Sequence, residues 1–515
     1  MARRAKARQQ ACQCEHVNST RMQPSRTING MKLGPASELY GQAEGAISKQ
    51  CCEIAPGWSP RLRSLGVNSL VIAILSPFLA LSSRRVQRVL LAMVVLDIPI
   101  QLGKVFFLRA YEADLGAIKG LTISMTTLAL AGLYLSWVLR ALAVRIPRER
   151  RPLHFSLPLL FYFAITVLSL AVAQDLELSS FAVFQLLEAC LIYFYVANNV
   201  RTREDVLFVV SMLLGGCLLE SLIMIVMQFT VTPGLNWNLP IHIIAEFAGN
   251  SGYIRNGGTI GVPNVAGAYL SVLLACAAGL LFTNLGRGYK WLAMAVLGFG
   301  GFALIFTFSR GAWLALTIAV VVICSSVWRR RGLSLKAPIV ILAVAALLYL
   351  PFHSLISQRL VGDDKGSAEA RIPLMHLAFR MIADNPVLGV GTDNFTVAMD
   401  RYLTSEFRRA WLFTVHNKYL LVLAETGILG LLAYLAFLLG TLRTGWKCWR
   451  IQNPLLSPLA LGFVGGITGN MVHQTVDIFH IRAIQELLWL VAGLLTVMHR
   501  ISLDSPVPDS LSDIP

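Results

Sequence analysis

Long apolar runs separated by short polar stretches fill the chain from about residue 66 to about residue 500. A helix needs about 20 apolar residues to cross the hydrocarbon layer of a bilayer. Runs of that kind lie at 66–82, 87–102, 118–143, 154–173, 178–198, 205–230, 259–284, 289–308, 311–328, 337–353, 417–440, 456–475 and 482–499. The first two are the weakest. These runs are too long and too rich in Leu and Ala for the alternating strands of a membrane barrel. The pattern predicts an all-α, polytopic integral membrane protein of about 12 (12–13) transmembrane helices.

Composition agrees. Of 515 residues, 56% are hydrophobic and only 14% charged, far below the roughly one-quarter charged content of a soluble domain. A net charge of +16 would suggest nucleic acid in a soluble protein. Here the cations sit in short loops: Arg145, Arg148, Arg150 and Arg151; Arg201 and Arg203; Arg287 and Lys290; Arg329, Arg330, Arg331 and Lys336; Arg443, Lys447 and Arg450. Loops of this kind face the cytoplasm, and the alternation is consistent from residue 118 to the C-terminus. No nucleic acid is expected as a partner, only membrane lipids. Thirteen spans would place the basic N-terminus outside, so one of the first two runs is expected not to cross.

Residues 1–65 lack the apolar core and cleavage site of a signal peptide and are read as a basic, loosely ordered cytoplasmic extension. An N-terminal and central bundle (66–352), an outer-face helical loop or lid (353–415), C-terminal transmembrane helices (416–500) and a cytoplasmic tail (501–515) follow. The nine cysteines show neither metal-ligand spacing nor a disulfide framework.

The topology turns residues 231–258 and 353–415 outward. In the second loop, Leu374, Met375, Ala378, Phe379 and Ile382 recur at helical spacing, which predicts an amphipathic helix lying on the bundle or at the membrane surface. Asn385-Pro386 stops it, Gly389 and Gly391 make a tight turn, and a second short helix leads back to the membrane. Arg310 occupies an outward corner between two spans. A lone arginine there is usually an anchor, but Arg255, Arg371 and His416 fall on the same face. Asp97, Glu188 and Glu220 lie in or near spans and are read as hydrogen-bonded packing elements rather than a proton relay. Gly427 and Gly430 are read as a close helix contact. His473, His480 and Asp477 lack the spacing of a metal site, and no metal is expected.

The run HNKYLLVLAETGILGLLAYLAFLL from His416 resembles the signature of the O-antigen ligase and polymerase superfamily of bacterial envelope enzymes. TFSRGAWLAL around Arg310 is similar to that family's Ser-Arg-Gly corner, RIPLMHLAFRMIADNPVLGVGTDNF to its loop helix and glycine turn, and YIRNGGTIGVPNVAGAYL, with Arg255 and Asn264, to the preceding segment. The resemblance covers roughly residues 200–440. It implies a glycosyltransferase of the bacterial cytoplasmic (inner) membrane, with its active site on the periplasmic or extracellular face. Such enzymes transfer a glycan from an undecaprenyl diphosphate carrier to an acceptor glycan, either lipid A-core or a growing polysaccharide. No cofactor is implied.

On that resemblance, Arg255 and Arg310 stabilise the departing diphosphate, with Arg371 as a further donor-diphosphate ligand. His416 is the general base, kept neutral by the positive end of its helix. Asn417, Asn264 and Glu425 contact the acceptor or support the site, and a single displacement implies inversion. The alternative from a different class is a glycolipid or polysaccharide transporter or flippase without chemistry. Transporters place polar sites near the midplane of matched halves, whereas no repeat is visible in this chain and its informative polar groups share one face.

Overall fold

The computed structural model describes chiefly residues 83–143, 153–230, 245–247, 254–331, 371–404, 412–451 and 453–504. Their helices are α1 (Arg84–Ile100), α2 (Met125–Ala143), α3 (Leu157–Leu168), α4 (Leu176–Asn199), α5 (Arg203–Thr230), α6 (Pro263–Leu281), α7 (Arg287–Phe306), α8 (Arg310–Arg331), α9 (Arg371–Asp384), α10 (Lys418–Arg450), α11 (Leu456–His473) and α12 (Arg482–Asp504). Local chemistry sets several starts. Ser83 and Asp175 accept from the backbone N–H of Arg85 and Leu178, proline opens α3 and α6, and Asn417 caps α10.

Seven helices among the described residues are long and apolar enough to cross a membrane: α4, α5, α6, α7, α8, α10 and α12. This is fewer than the expected number. The run at 118–143 opens as a strand, and the apolar helices of α2 and α3 are shorter. The candidate runs at 66–82 and 337–353, like the N-terminal extension, lie outside the described residues apart from His353.

The chain also departs from a purely helical fold. Gly103–Phe106 (β1) pairs antiparallel with Leu121–Ser124 (β2), and Ala245–Phe247 (β3) with Ile254–Asn256 (β4). These ribbons lie between helices, where pairing satisfies backbone groups that no helix ladder serves.

α11 is wedged between α6 and α8 by close backbone approach. A Cβ on Gly466 would stand 2.9 Å from the Val272 carbonyl oxygen, and one on Gly469 would stand 2.1 Å from that of Ala315. Small residues permit this packing where helix association gains nothing from excluding water.

α10 is two helices joined at a break. Gly427 has φ 68°, so it does not sit on a smooth helical face with Gly430 as its spacing suggested. A Cβ there would lie 2.0 Å from the Val387 carbonyl oxygen. The carbonyls of Ala424 and Glu425, exposed by the break, accept from Val390 N–H (2.9 Å) and Gly391 N–H (3.0 Å), and Ile428 N–H donates to Pro386 (2.9 Å). The glycine turn after α9 is thus stitched into the wall of α10.

α9 packs with Leu374, Leu377, Ala378 and Met381 inward, against Leu421, Ala424 and Ile478. Met375 and Phe379, read from the spacing as sharing an apolar face with Leu374 and Ala378, are exposed. The helix is apolar on two sides, and spacing alone does not say which side packs. The second loop helix is only Phe395–Ala398, continued by a 3-10 turn to Tyr402.

Candidate functional site

The site grows from the corner between α7 and α8. Thr307 bonds back to the Leu304 carbonyl (2.7 Å), and Phe308 takes a left-handed conformation at φ 48°. Ser309 then accepts from Ala312 N–H (3.3 Å) to cap α8. Arg310 follows as the first helical residue, half-buried at the positive end of α8. Gly311 has a separate task. A Cβ there would lie 2.3 Å from the His473 ring, so the Ser-Arg-Gly order gives a cap, a cation and room for an imidazole.

Arg255 is tied to the same corner. Its Nε donates to the Thr307 carbonyl (3.2 Å) and its Nη2 to Asn264 Oδ1 (2.7 Å) in the first turn of α6. Glu220 holds the turn behind it, accepting from Thr259 N–H (2.8 Å) and Thr259 Oγ1 (2.5 Å). Asn256 donates to the Met224 carbonyl (2.7 Å). Glu220, read from the sequence as a hydrogen-bonded packing element, thus ties down the segment that presents Arg255.

The third part is the connection between α11 and α12, residues 474–481. His473 Nε2 lies 3.5 Å from Ser309 Oγ, and its ring meets Phe479 edge-on at 4.7 Å. Arg371, opening α9, donates to the Val476 carbonyl (3.2 Å). Asp477 is buried and accepts from Ile478 N–H (2.8 Å). Burial raises its carboxyl above the usual range, while Ile478 N–H, Arg371, Asn264 and Arg255 pull the other way. Burial also pushes the His480 imidazole down to about 3, aided by Lys418, His416 and Lys119.

His416 stands just ahead of α10. Its Nδ1 lies 3.0 Å from the Thr414 carbonyl, which can only accept, so Nδ1 carries the hydrogen and the neutral ring presents Nε2 as the acceptor. Burial pushes the imidazole down to about 4, the Arg371 charge adds to this, and the Thr414 bond opposes it. Burial, rather than the positive end of the helix, is the leading cause of this depression.

The structure thus places Arg255, Asn264, Arg371, His416 and the corner that carries Arg310 around His473 and the 474–481 connection. Asn417 is committed elsewhere: its Oδ1 accepts from Tyr419 N–H and Leu420 N–H, both 3.0 Å, as the cap of α10. Glu425 is also separate. Nine residues further along at about 1.5 Å each, it lies roughly 13 Å from His416, where it accepts from Phe395 N–H (3.4 Å). It braces the glycine turn, whose Asp393 has φ 55° and accepts from Ile118 N–H (3.0 Å). Sequence reasoning weighed His473, Asp477 and His480 only as metal ligands. Among the described residues no group of three or more His, Cys, Asp or Glu side chains is arranged to hold a metal ion. The signal for their other use was the polar and aromatic run HQTVDIFH between two spans.

Fold and site together define a helical membrane protein whose arginines and imidazoles converge at one end of the bundle. Residues 293–435 match the family model described as O-antigen ligase. The match runs from within α7 through the Arg310 corner, α9 and His416 into α10, and it supports the O-antigen ligase superfamily indicated by the motifs. No curated protein matches the chain significantly.

Proposed function

We propose that the chain is a membrane glycosyltransferase of the O-antigen ligase or polymerase type. It moves a glycan from an undecaprenyl diphosphate carrier to a sugar hydroxyl of lipid A-core or a growing polysaccharide, on the periplasmic or extracellular face of the bacterial cytoplasmic membrane. One observation carries this reading: a neutral imidazole with Nδ1 fixed as donor, under the field of Arg371, within the segment matched to the ligases.

In the reaction the acceptor hydroxyl loses its proton to His416 Nε2 as its oxygen bonds to the anomeric carbon. The bond from that carbon to the diphosphate oxygen breaks, and its electron pair leaves on the diphosphate. Arg255, Arg310 and Arg371 meet that developing charge, for which the planar guanidinium fork is suited. Attack opposite the leaving group inverts the anomeric centre. Cleavage of the carrier linkage supplies the driving force. Asn264 aims Arg255 rather than touching the acceptor, Asn417 caps the helix that follows His416, and Glu425 braces the glycine turn farther along.

The test is glycan transfer by purified protein from an undecaprenyl diphosphate donor, with donor binding measured alongside. Covalent transfer is expected. Binding and movement of the glycolipid with no new glycosidic bond would instead identify a flippase. A cysteine at Asp400 and one at Arg330 should be labelled from opposite faces of the membrane, and labelling of both from one face would overturn the orientation.

A further inference from the structure

α9 carries an apolar face that the packing does not use. Opposite its buried side, Ile372 is 51% exposed, Met375 36% and Phe379 51%. Steps of three and four residues align them as one stripe. An exposed stripe of this kind marks an interaction surface rather than a solvated face.

The ends of α9 fix where the stripe runs. At the start, Arg371 bonds to the Val476 carbonyl, and its charge reaches His416 and Asp477. Past the other end, Pro386 accepts from Ile428 N–H (2.9 Å), and Val387 lies against the Gly427 break. α9 therefore runs beside the first segment of α10, from the mouth of the site to a level about 14 Å along that membrane helix. There Val387 (56% exposed), Ile428 (41%) and Leu432 (56%) carry exposed apolar surface onward.

We propose that this track, from Arg371 along Ile372, Met375 and Phe379 to Val387 and Ile428, seats the polyprenyl chain of the lipid-diphosphate donor; the proposal rests on the glycosyltransferase reading above. The complementarity is that of an amphiphile. A cation beside the catalytic imidazole meets the anionic head, and an apolar path leads from it down the flank of a spanning helix. A helix serving only as a surface float has no need to begin at the site or to end at the break in α10.

The experiment compares wild type with the Met375→Ser/Phe379→Ser double variant, whose altered side chains are exposed. Two donors carry the same glycan, one on a long polyprenyl diphosphate and one on a short, water-soluble prenyl diphosphate. In the double variant KM for the long-chain donor should rise about tenfold, the order expected from losing apolar contact. The short-chain donor should change by less than about twofold. Equal changes for both donors, as for a bilayer float or a lid, or no change for either, would overturn the track. Absence of transfer by wild type from either donor counts against the glycosyltransferase reading. The track is then judged by a photoreactive phenylalanine at position 379: crosslinking to undecaprenyl diphosphate that excess unlabelled lipid suppresses supports it, and crosslinking that excess does not suppress overturns it.

Discussion

The two ends of the bundle place their cations differently. At the end with the basic loops, they close helix C-termini. Lys290 donates to the carbonyls of Leu280 (3.1 Å), Leu281 (2.5 Å) and Thr283 (2.5 Å). Arg330 donates to Trp449 and Arg450 and lies 4.3 Å over the Trp449 ring, and Arg500 bonds Ala197 (3.0 Å). Those carbonyls lie at or just past helix C-termini, where the helix ladder runs out, so the charge serves structure as well as orientation. At the other end, Arg310 heads a helix instead of closing one. Arg255, from β4, bonds the Thr307 carbonyl and Asn264, and Arg371 opens α9; both lie near imidazoles and a buried carboxyl. Cations that cap a helix are placed by the backbone they serve, whereas cations placed at helix starts add to positive potential already there and favour an anion.

The largest expected effect separates chemistry from binding at the second end. His416→Ala should leave donor binding intact and lower transfer by roughly 10²- to 10⁴-fold, the usual loss for a general base. Near-normal turnover would remove His416 from that role and leave the arginines to account for the rate.

Two glycines in α10 give the next contrast. Gly427→Ala places a Cβ at a left-handed position and against the Val387 carbonyl, which should cost about 2 kcal/mol or more. Gly440 has nothing within 4 Å of its would-be Cβ, so Gly440→Ala should be neutral or stabilise by up to about 1 kcal/mol. Thermal unfolding in detergent measures both, and equal behaviour would mean that the break is not structural.

How far the sequence reached can be judged at these same residues. The long apolar runs disclosed most helices because hydropathy is local. The letters Glu-Thr-Gly and Ser-Arg-Gly were visible, but their reasons were not: the Gly427 break and the Gly311 gap depend on Val387 and His473, which are distant in sequence. Long separation also hid a buried ionic cluster. Arg482 pairs with Asp97 at 3.3 Å and Glu486 at 3.5 Å. Asp97 also accepts from Leu102 N–H and Thr126, and Glu188 from Ser124 and Thr127. Asp97 and Glu188 could be read as packing elements, but not which arginine they would meet. Spacing put Leu374, Ala378, Met375 and Phe379 on one apolar face of α9 and could not tell which of them pack, because the helix is apolar on two sides.

Arginine-to-lysine exchange tests the contrast between the ends more gently. Arg310→Lys keeps the charge and loses the fork, so donor binding and turnover should fall together by about tenfold. Arg330→Lys should leave turnover unchanged and cost less than about 1 kcal/mol of stability, since a lysine can still reach the last carbonyls of α10. A turnover loss at Arg330 matching that at Arg310 would erase the distinction.

The smallest effect is a displaced pH limb. His416 must be neutral to accept a proton, and its imidazole is held near 4 by burial and by Arg371. The acidic limb of kcat/KM should therefore fall near pH 4 rather than near the ordinary histidine value of about 6.5. Arg371→Gln removes a positive charge, makes the imidazolium easier to form and so moves that limb upward, independently of any loss in donor affinity. The same depression ties the ring to stability. Because the folded value lies below the unfolded one, the unfolded chain binds more protons between about 6.5 and 4. This contribution is complete above that window and lost as pH falls through it. A limb that stays in place in Arg371→Gln, measured on kcat/KM from pH 3.5 to 8, would show that Arg371 does not set the charge state of His416, leaving burial opposed by the Thr414 bond to control it.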